Sequence, residues 1–167
     1  MKILLAVDGS ENSAKTVDVI GSHPWPTGST VRVLTVVEQV VTATPEVAVF
    51  SPEAIEAQRE HFLRIADELT TRFANWLCSS GLEAERLVRA GDPKVIIVEE
   101  ALDWGADVIA VGSHGLSGIT KWLLGSVAQS VVSHAPCSVY VVRERRERAS
   151  NEEHLAEKAD AAATASA

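Results

Sequence analysis

DVIAVGSHGLSGITKWLLGS, residues 107–126, is the stretch on which the fold turns. DVIAV (107–111) is a short apolar run rich in β-branched residues, and a glycine ends it. A run of that kind reads as a strand buried on both faces, the type found in parallel sheets. Gly112-Ser113-His114-Gly115 follows as a turn. Gly125-Ser126 then opens a helix that continues through Ser133. A buried strand, a glycine loop and a helix start, in that order, belong to a chain built of alternating β and α units.

Working outward, the pattern repeats. Downstream, Ala135-Pro136 breaks the helix and SVYVV (138–142) forms a fifth strand. Upstream, Asp92-Pro93 gives a cap followed by proline at the first helical position, and the helix runs to Trp104 and stops at Gly105. Residues 84–90 (AERLVRA) are a third strand. Ser51-Pro52 starts a long helix that Gly81 ends, with Ile55, Phe62, Leu69, Phe73, Trp76 and Leu77 on one expected core face. Residues 38–50, interrupted by Pro45, are expected to be a long loop. VRVLTVV (31–37) is the second strand, the prolines of 23–28 mark a loop, and Ser10 caps a short helix to Ile20. KILLAV (2–7) is the first strand. The order β-α-β-α-β-α-β-α-β demands right-handed crossovers and a parallel sheet covered by helices on both faces, a three-layer α/β sandwich. In such sheets ligands sit beyond the carboxyl ends of the strands, which singles out Asp8-Gly9-Ser10 and Gly112–Gly115.

Composition bounds the rest. The 167 residues fit one domain, expected over 1–143, with a polar, Ala-rich tail at 144–167 expected to be disordered. Net charge is -8, which repels phosphate backbones and argues against nucleic-acid binding. The apolar start of MKILLAVDGS is too short for a secretory leader, and no stretch approaches the ~20 apolar residues of a membrane span. Cys78 and Cys137 lack metal-ligand spacing and are expected to be buried reduced thiols in a cytoplasmic protein.

Gly112 gives a strand-ending turn its backbone freedom, and Gly115 lets an anion approach its amide. Gly125 and Ser126 stand at a helix N-terminus, which offers unpaired amides and a positive dipole end. The Ser126 hydroxyl can donate to a phosphate or cap its own helix. From spacing alone the segment is either a phosphate site or a plain strand-to-helix connection.

Gly112, Gly115, Gly125 and Ser126 match G-x2-G-x9-G-[ST] without a gap, and the pattern resembles the nucleotide-binding signature of the universal stress protein family. KILLAVDGSENSAKT, VLTVVE, RAGDPKVIIVEEALDWGADVIAVGSHG and GSVAQSVVSHAPCSVYVVR are similar to its successive elements, so the resemblance spans about residues 1–143. It implies a five-stranded parallel sheet in the order 3-2-1-4-5 and ATP as ligand. It sets Ala6, Asp8, Val36, Val111, Gly112, Gly115, Gly125, Ser126 and Val127 at the nucleotide. Asp8 would lie beside ribose and phosphates, the Val36 backbone would meet the adenine edge, and Gly112, Gly115, Gly125, Ser126 and Val127 would hold the phosphates. Mg2+ or Mn2+ would bind through those phosphates. The resemblance also implies a homodimer through the fifth strand, and the apolar edge SVYVV agrees with it.

Other residues have plainer readings. Asp8 can be a turn residue bonding its own backbone as well as a site residue. His114 is expected to be a solvated loop histidine, His134 a cation at a helix end, and Lys121 a solvated lysine. Trp122, Leu123 and Leu124 are expected to anchor the loop. The function expected is a regulatory adenine-nucleotide binder acting through conformation or assembly. The rivals are a slow ATPase or ATP-dependent enzyme, and a structural dimer without ligand. The G-x4-GK[ST] loop of ordinary ATPases is absent from the sequence.

Overall fold

The computed structural model describes residues 1–38, 52–115 and 124–143. Its elements alternate as β1 (Lys2–Ala6), α1 (Glu11–Ser22), β2 (Thr30–Val37), α2 (Pro52–Ser79), β3 (Glu83–Ala90), α3 (Pro93–Trp104), β4 (Val108–Gly112), α4 (Ser126–His134) and β5 (Ser138–Val142). All pairings are parallel, and the sheet order is β3-β2-β1-β4-β5. The boundaries follow local chemistry. Ser10 caps α1 by accepting from the Ser13 amide at 3.1 Å. Asp92 caps α3 by accepting from the Lys94 amide at 2.9 Å, and Gly105 closes that helix at φ 67°. The sequence places the end of α1 two residues early, at Ile20 rather than Ser22. It also starts β4 at Asp107, one residue early.

Strand alternation splits the core into two layers. Ile3, Leu5, Val31 and Val33 face α1 and α2, where Val17, Ile20, Phe73 and Leu77 meet them. Leu4, Leu34, Ile109 and Val111 face α3 and α4, against Ile97, Ala101, Ala128 and Val131. Glu100 on α3 is buried and paired with Arg32 of β2 at 2.5 Å and Arg89 of β3 at 3.1 Å. The Arg32 guanidinium also stacks 4.2 Å from the Trp104 ring centre. This cluster fixes α3 to the sheet on the side where it leaves β3 behind.

The expected core face of α2 is only partly realised. Phe73 and Leu77 are buried, whereas Ile55, Phe62 and Trp76 are 36%, 42% and 38% exposed. The reason is length. Twenty-eight helical residues extend about 42 Å, against about 26 Å for the eight residues of β2, so the first turns of α2 rise beyond the sheet. Trp76 instead lies over Gly21 of α1, where an added Cβ would run into its ring. The cysteines also differ from expectation. Cys78 is exposed on α2 and Cys137 is half-buried, and neither is bonded to another cysteine. Burial, then the Asp107 carboxylate, pushes the Cys137 thiol pKa up, which favours the unreactive protonated form. The 38–50 loop beyond Glu38, the tail, and Lys121, Trp122 and Leu123 lie outside the described residues. Leu124 is half-buried and packs on the α3/α4 layer, as expected.

Candidate functional site

The strand order reverses between β2 and β4, the two neighbours of β1. A crevice of about 650 Å³ opens there, beyond the carboxyl ends of the strands. Ala6, Asp8, Val36, Val111, Gly112, Gly115, Gly125, Ser126 and Val127 all line it. Residues 120 positions apart in sequence thus share one cavity because β1 and β4 are hydrogen-bonded neighbours.

Asp8 leaves β1 and is exposed at the crevice. Its Oδ1 accepts from the Ser10 amide at 3.0 Å and from the Ser13 hydroxyl at 2.5 Å. The turn reading holds for this carboxylate, and its second oxygen faces the other loop. A Cβ built on Gly115 would lie 2.5 Å from Asp8 Oδ2. Gly115 does not have a positive φ, so what a side chain here would meet is the Asp8 carboxylate, which would have to shift, rather than backbone strain. Gly112 is tight for a similar reason, its added Cβ falling 3.3 Å from Thr16 Oγ1 and from the His114 carbonyl.

Gly125 ties the loop to α4. Its amide donates to the Ser113 carbonyl at 2.8 Å, and the Ser113 amide donates to Val142 of β5 at 2.8 Å. Gly125 is the N-cap of α4 and makes no side-chain cap hydrogen bond. Ser126 is the first helical residue and is exposed, so its hydroxyl is not the cap. The first turn of α4 therefore presents amides and a positive dipole end to the crevice without a protein acceptor from a capping side chain. His114 is half-buried rather than solvated, with Nδ1 3.1 Å from the Ser113 hydroxyl. His134 bonds back to the Ser130 carbonyl at 2.8 Å in the last turn of α4, which suits a structural role.

Sequence reasoning missed part of the lining. Pro93 and Ile97 of α3 form an apolar wall beside Val36, and Thr35 of β2 with Phe62, Ile65 and Leu69 of α2 form another. The strand alternation already set Thr35 on the opposite face from Val36, which is the signal that could have found it. Among the described residues no group of three or more His, Cys, Asp or Glu could hold a metal ion, and no helix is long and apolar enough to cross a membrane.

A parallel sheet in the order 3-2-1-4-5 with helices on both faces and a crevice at its switch point defines a doubly wound α/β domain. The universal stress protein family model matches residues 1–143, and the chain belongs to that family. It is 30% identical over 145 residues to universal stress protein YxiE of Bacillus subtilis, covering 85% of this chain and 98% of that one. Among solved structures it is similar to the hypothetical protein MJ0577, with a TM-score of 0.76 and 25% identity over 87% of this chain and 97% of the other. An Arabidopsis thaliana member solved with AMP bound has a TM-score of 0.60 and 21% identity, covering 87% and 92% of the two chains.

Proposed function

We propose that the crevice binds an adenine nucleotide, ATP in particular, and that the protein regulates through the conformation or assembly that this ligand favours. The observation that carries it is the pairing of a helix start whose cap, Gly125, brings no side chain with Gly115 held against Asp8 on the same crevice. Apolar groups at Ala6, Val36, Ile97 and Val111 suit a purine, and the Val36 backbone would read its edge. The AMP complex of a family relative supports the same ligand class. Mg2+ or Mn2+ would rest on the phosphates, with the Asp8 carboxylate beside the loop, and would offset their charge. The mechanism is a ligand-shifted equilibrium rather than fast chemistry, in keeping with the absence of the ordinary ATPase loop.

Assembly would use β5. It is an edge strand of the sheet with an apolar sequence, so it offers unpaired backbone groups to a second copy. Light scattering should report a dimer at tens of micromolar, and a monomer there would remove this part of the proposal.

The nucleotide is tested by calorimetric titration of ATP, with GTP as the control, into the parent and Gly115→Val. The variant should stay folded by circular dichroism and lose binding altogether. Its β-branched side chain would displace Asp8 and occupy the space the phosphates need. A folded Gly115→Val that still binds ATP like the parent would show that the phosphates lie elsewhere.

A further inference from the structure

The crevice is larger than the nucleotide reading uses, and strand alternation divides it. Val36 faces the α3/α4 layer, where the proposed purine and phosphate contacts lie. Thr35 precedes it on β2, so its side chain faces the α2 layer, as Val33 does two residues earlier. On that side Phe62, Ile65 and Leu69 of α2 line the same crevice. They lie three and four residues apart, which places them along one stripe of the helix. Because α2 rises above the sheet, the outer two remain 42% and 45% exposed. The inner one, Leu69, packs 3.4 Å from the position of a Cβ on Gly9, the residue next to Asp8. The apolar stripe therefore leads from solvent to the point where the nucleotide half of the crevice begins.

A second feature marks this lobe as built for a ligand. Thr35 is 7% exposed, and its hydroxyl is the one buried side-chain polar atom among the described residues without a hydrogen-bond partner. Buried hydroxyls are ordinarily paired, because leaving one unpaired costs stability. Thr70 of α2 is buried more deeply still, at 0% exposed, yet it bonds the Ala66 carbonyl at 2.9 Å. The orphan at Thr35 lines the cavity, and a ligand atom can supply what the protein does not.

We infer that the α2-side lobe receives an apolar acyl group carried on the ribose of the bound nucleotide, its apolar part against Phe62 and Ile65 and a polar atom at the Thr35 hydroxyl. The ligand class is an adenine nucleotide bearing an apolar ester. The inference rests on the nucleotide reading above and adds the substituent. Asp8 stands where the two lobes meet, next to the ribose in that reading, so a ribose ester is the attachment that reaches both. The apolar group would dehydrate a wall that otherwise faces water, which is a favourable term proportional to the area covered.

The probe is ATP esterified on its ribose with the N-methylanthraniloyl fluorophore, compared with plain ATP by titration. The analogue should bind the parent at least about tenfold more tightly, equivalent to about 1.4 kcal/mol, with its emission shifted to the blue. Phe62→Ser and Ile65→Asp, both at exposed positions, should reduce the analogue to the affinity of ATP while ATP itself binds as before. Thr35→Val, close in shape, should lower the analogue's advantage severalfold. An analogue that binds no better than ATP, or whose gain survives both α2 substitutions, overturns the inference and leaves the nucleotide reading standing. Failure of ATP and the analogue alike to bind would overturn both.

Discussion

α3 and α4 begin in nearly the same place and do opposite things. Both follow a strand of the sheet, both pack on the same layer, and both bring their first residues, Pro93 and Ser126, to the crevice. Each N-terminus carries the same partial positive charge. At α3 the Asp92 carboxylate satisfies the first turn and Pro93 has no amide to offer. At α4 the cap is Gly125, which contributes no side chain. The dipole is thus common to both helices, and the identity of one capping residue decides which of them already carries a carboxylate at its start. A carboxylate at the cap is already the anion.

The comparison can be broken most severely by making α4 resemble α3. Gly125→Asp puts a carboxylate at the cap, and φ is -59° with the new Cβ no closer than 3.4 Å to its neighbours, so the substitution fits. ATP affinity should fall about a hundredfold or more, about 2.7 kcal/mol, while the melting temperature holds or rises. Calorimetry with a thermal melt checks both, and unchanged affinity would mean the phosphates do not use this helix. A smaller effect is expected from Ser126→Ala. Losing one hydrogen bond to a charged group costs about 1.5–3 kcal/mol, roughly ten- to a hundredfold in affinity. Because Gly125 rather than Ser126 is the cap, the fold should lose no stability, and a lowered melting temperature would contradict that assignment. The smallest effect belongs to α3. Asp92→Ala should cost about 1 kcal/mol of stability in a denaturant titration and leave ATP binding unaltered. If binding changed as much as stability did, the two helix starts would not be the independent devices described.

The two loops also show how far single residues could be read. Asp8 was legible as a turn former, and the structure shows that turn on one carboxylate oxygen while the other faces Gly115. Gly115 was legible as glycine by need, yet the need is contact with Asp8 rather than an unusual φ. That contact joins residues over a hundred positions apart, which no local pattern specifies. Phe62 was misread for a different reason. Its spacing on α2 is that of a core stripe, but periodicity reports which face of a helix is apolar and not whether anything stands opposite that face. The sheet ends before α2 does, and Phe62 stays 42% exposed.

Glu100 was not singled out at all. A glutamate in EEALDW reads as solvated surface, and its burial depends on Arg32 and Arg89 arriving from two other elements. What the sequence determined by itself was therefore local and periodic. The buried strands, the Asp92-Pro93 start of α3, the glycine loop after β4 and the alternation that implies a parallel sheet all follow from neighbouring residues and their steric and hydrogen-bonding needs. The signature in 112–126 extended that reach through its resemblance to a family, including the strand order, which spacing alone cannot supply. Tertiary structure alone decided that Asp8 meets Gly115, that the Gly125 start of α4 lines the same crevice as Val36, and that Thr35 is buried without a partner. Those outcomes depend on the relative lengths and positions of packed elements. Packing is a many-body fit between surfaces, so it is settled only when β1, β2, β4 and α2 have taken their places together.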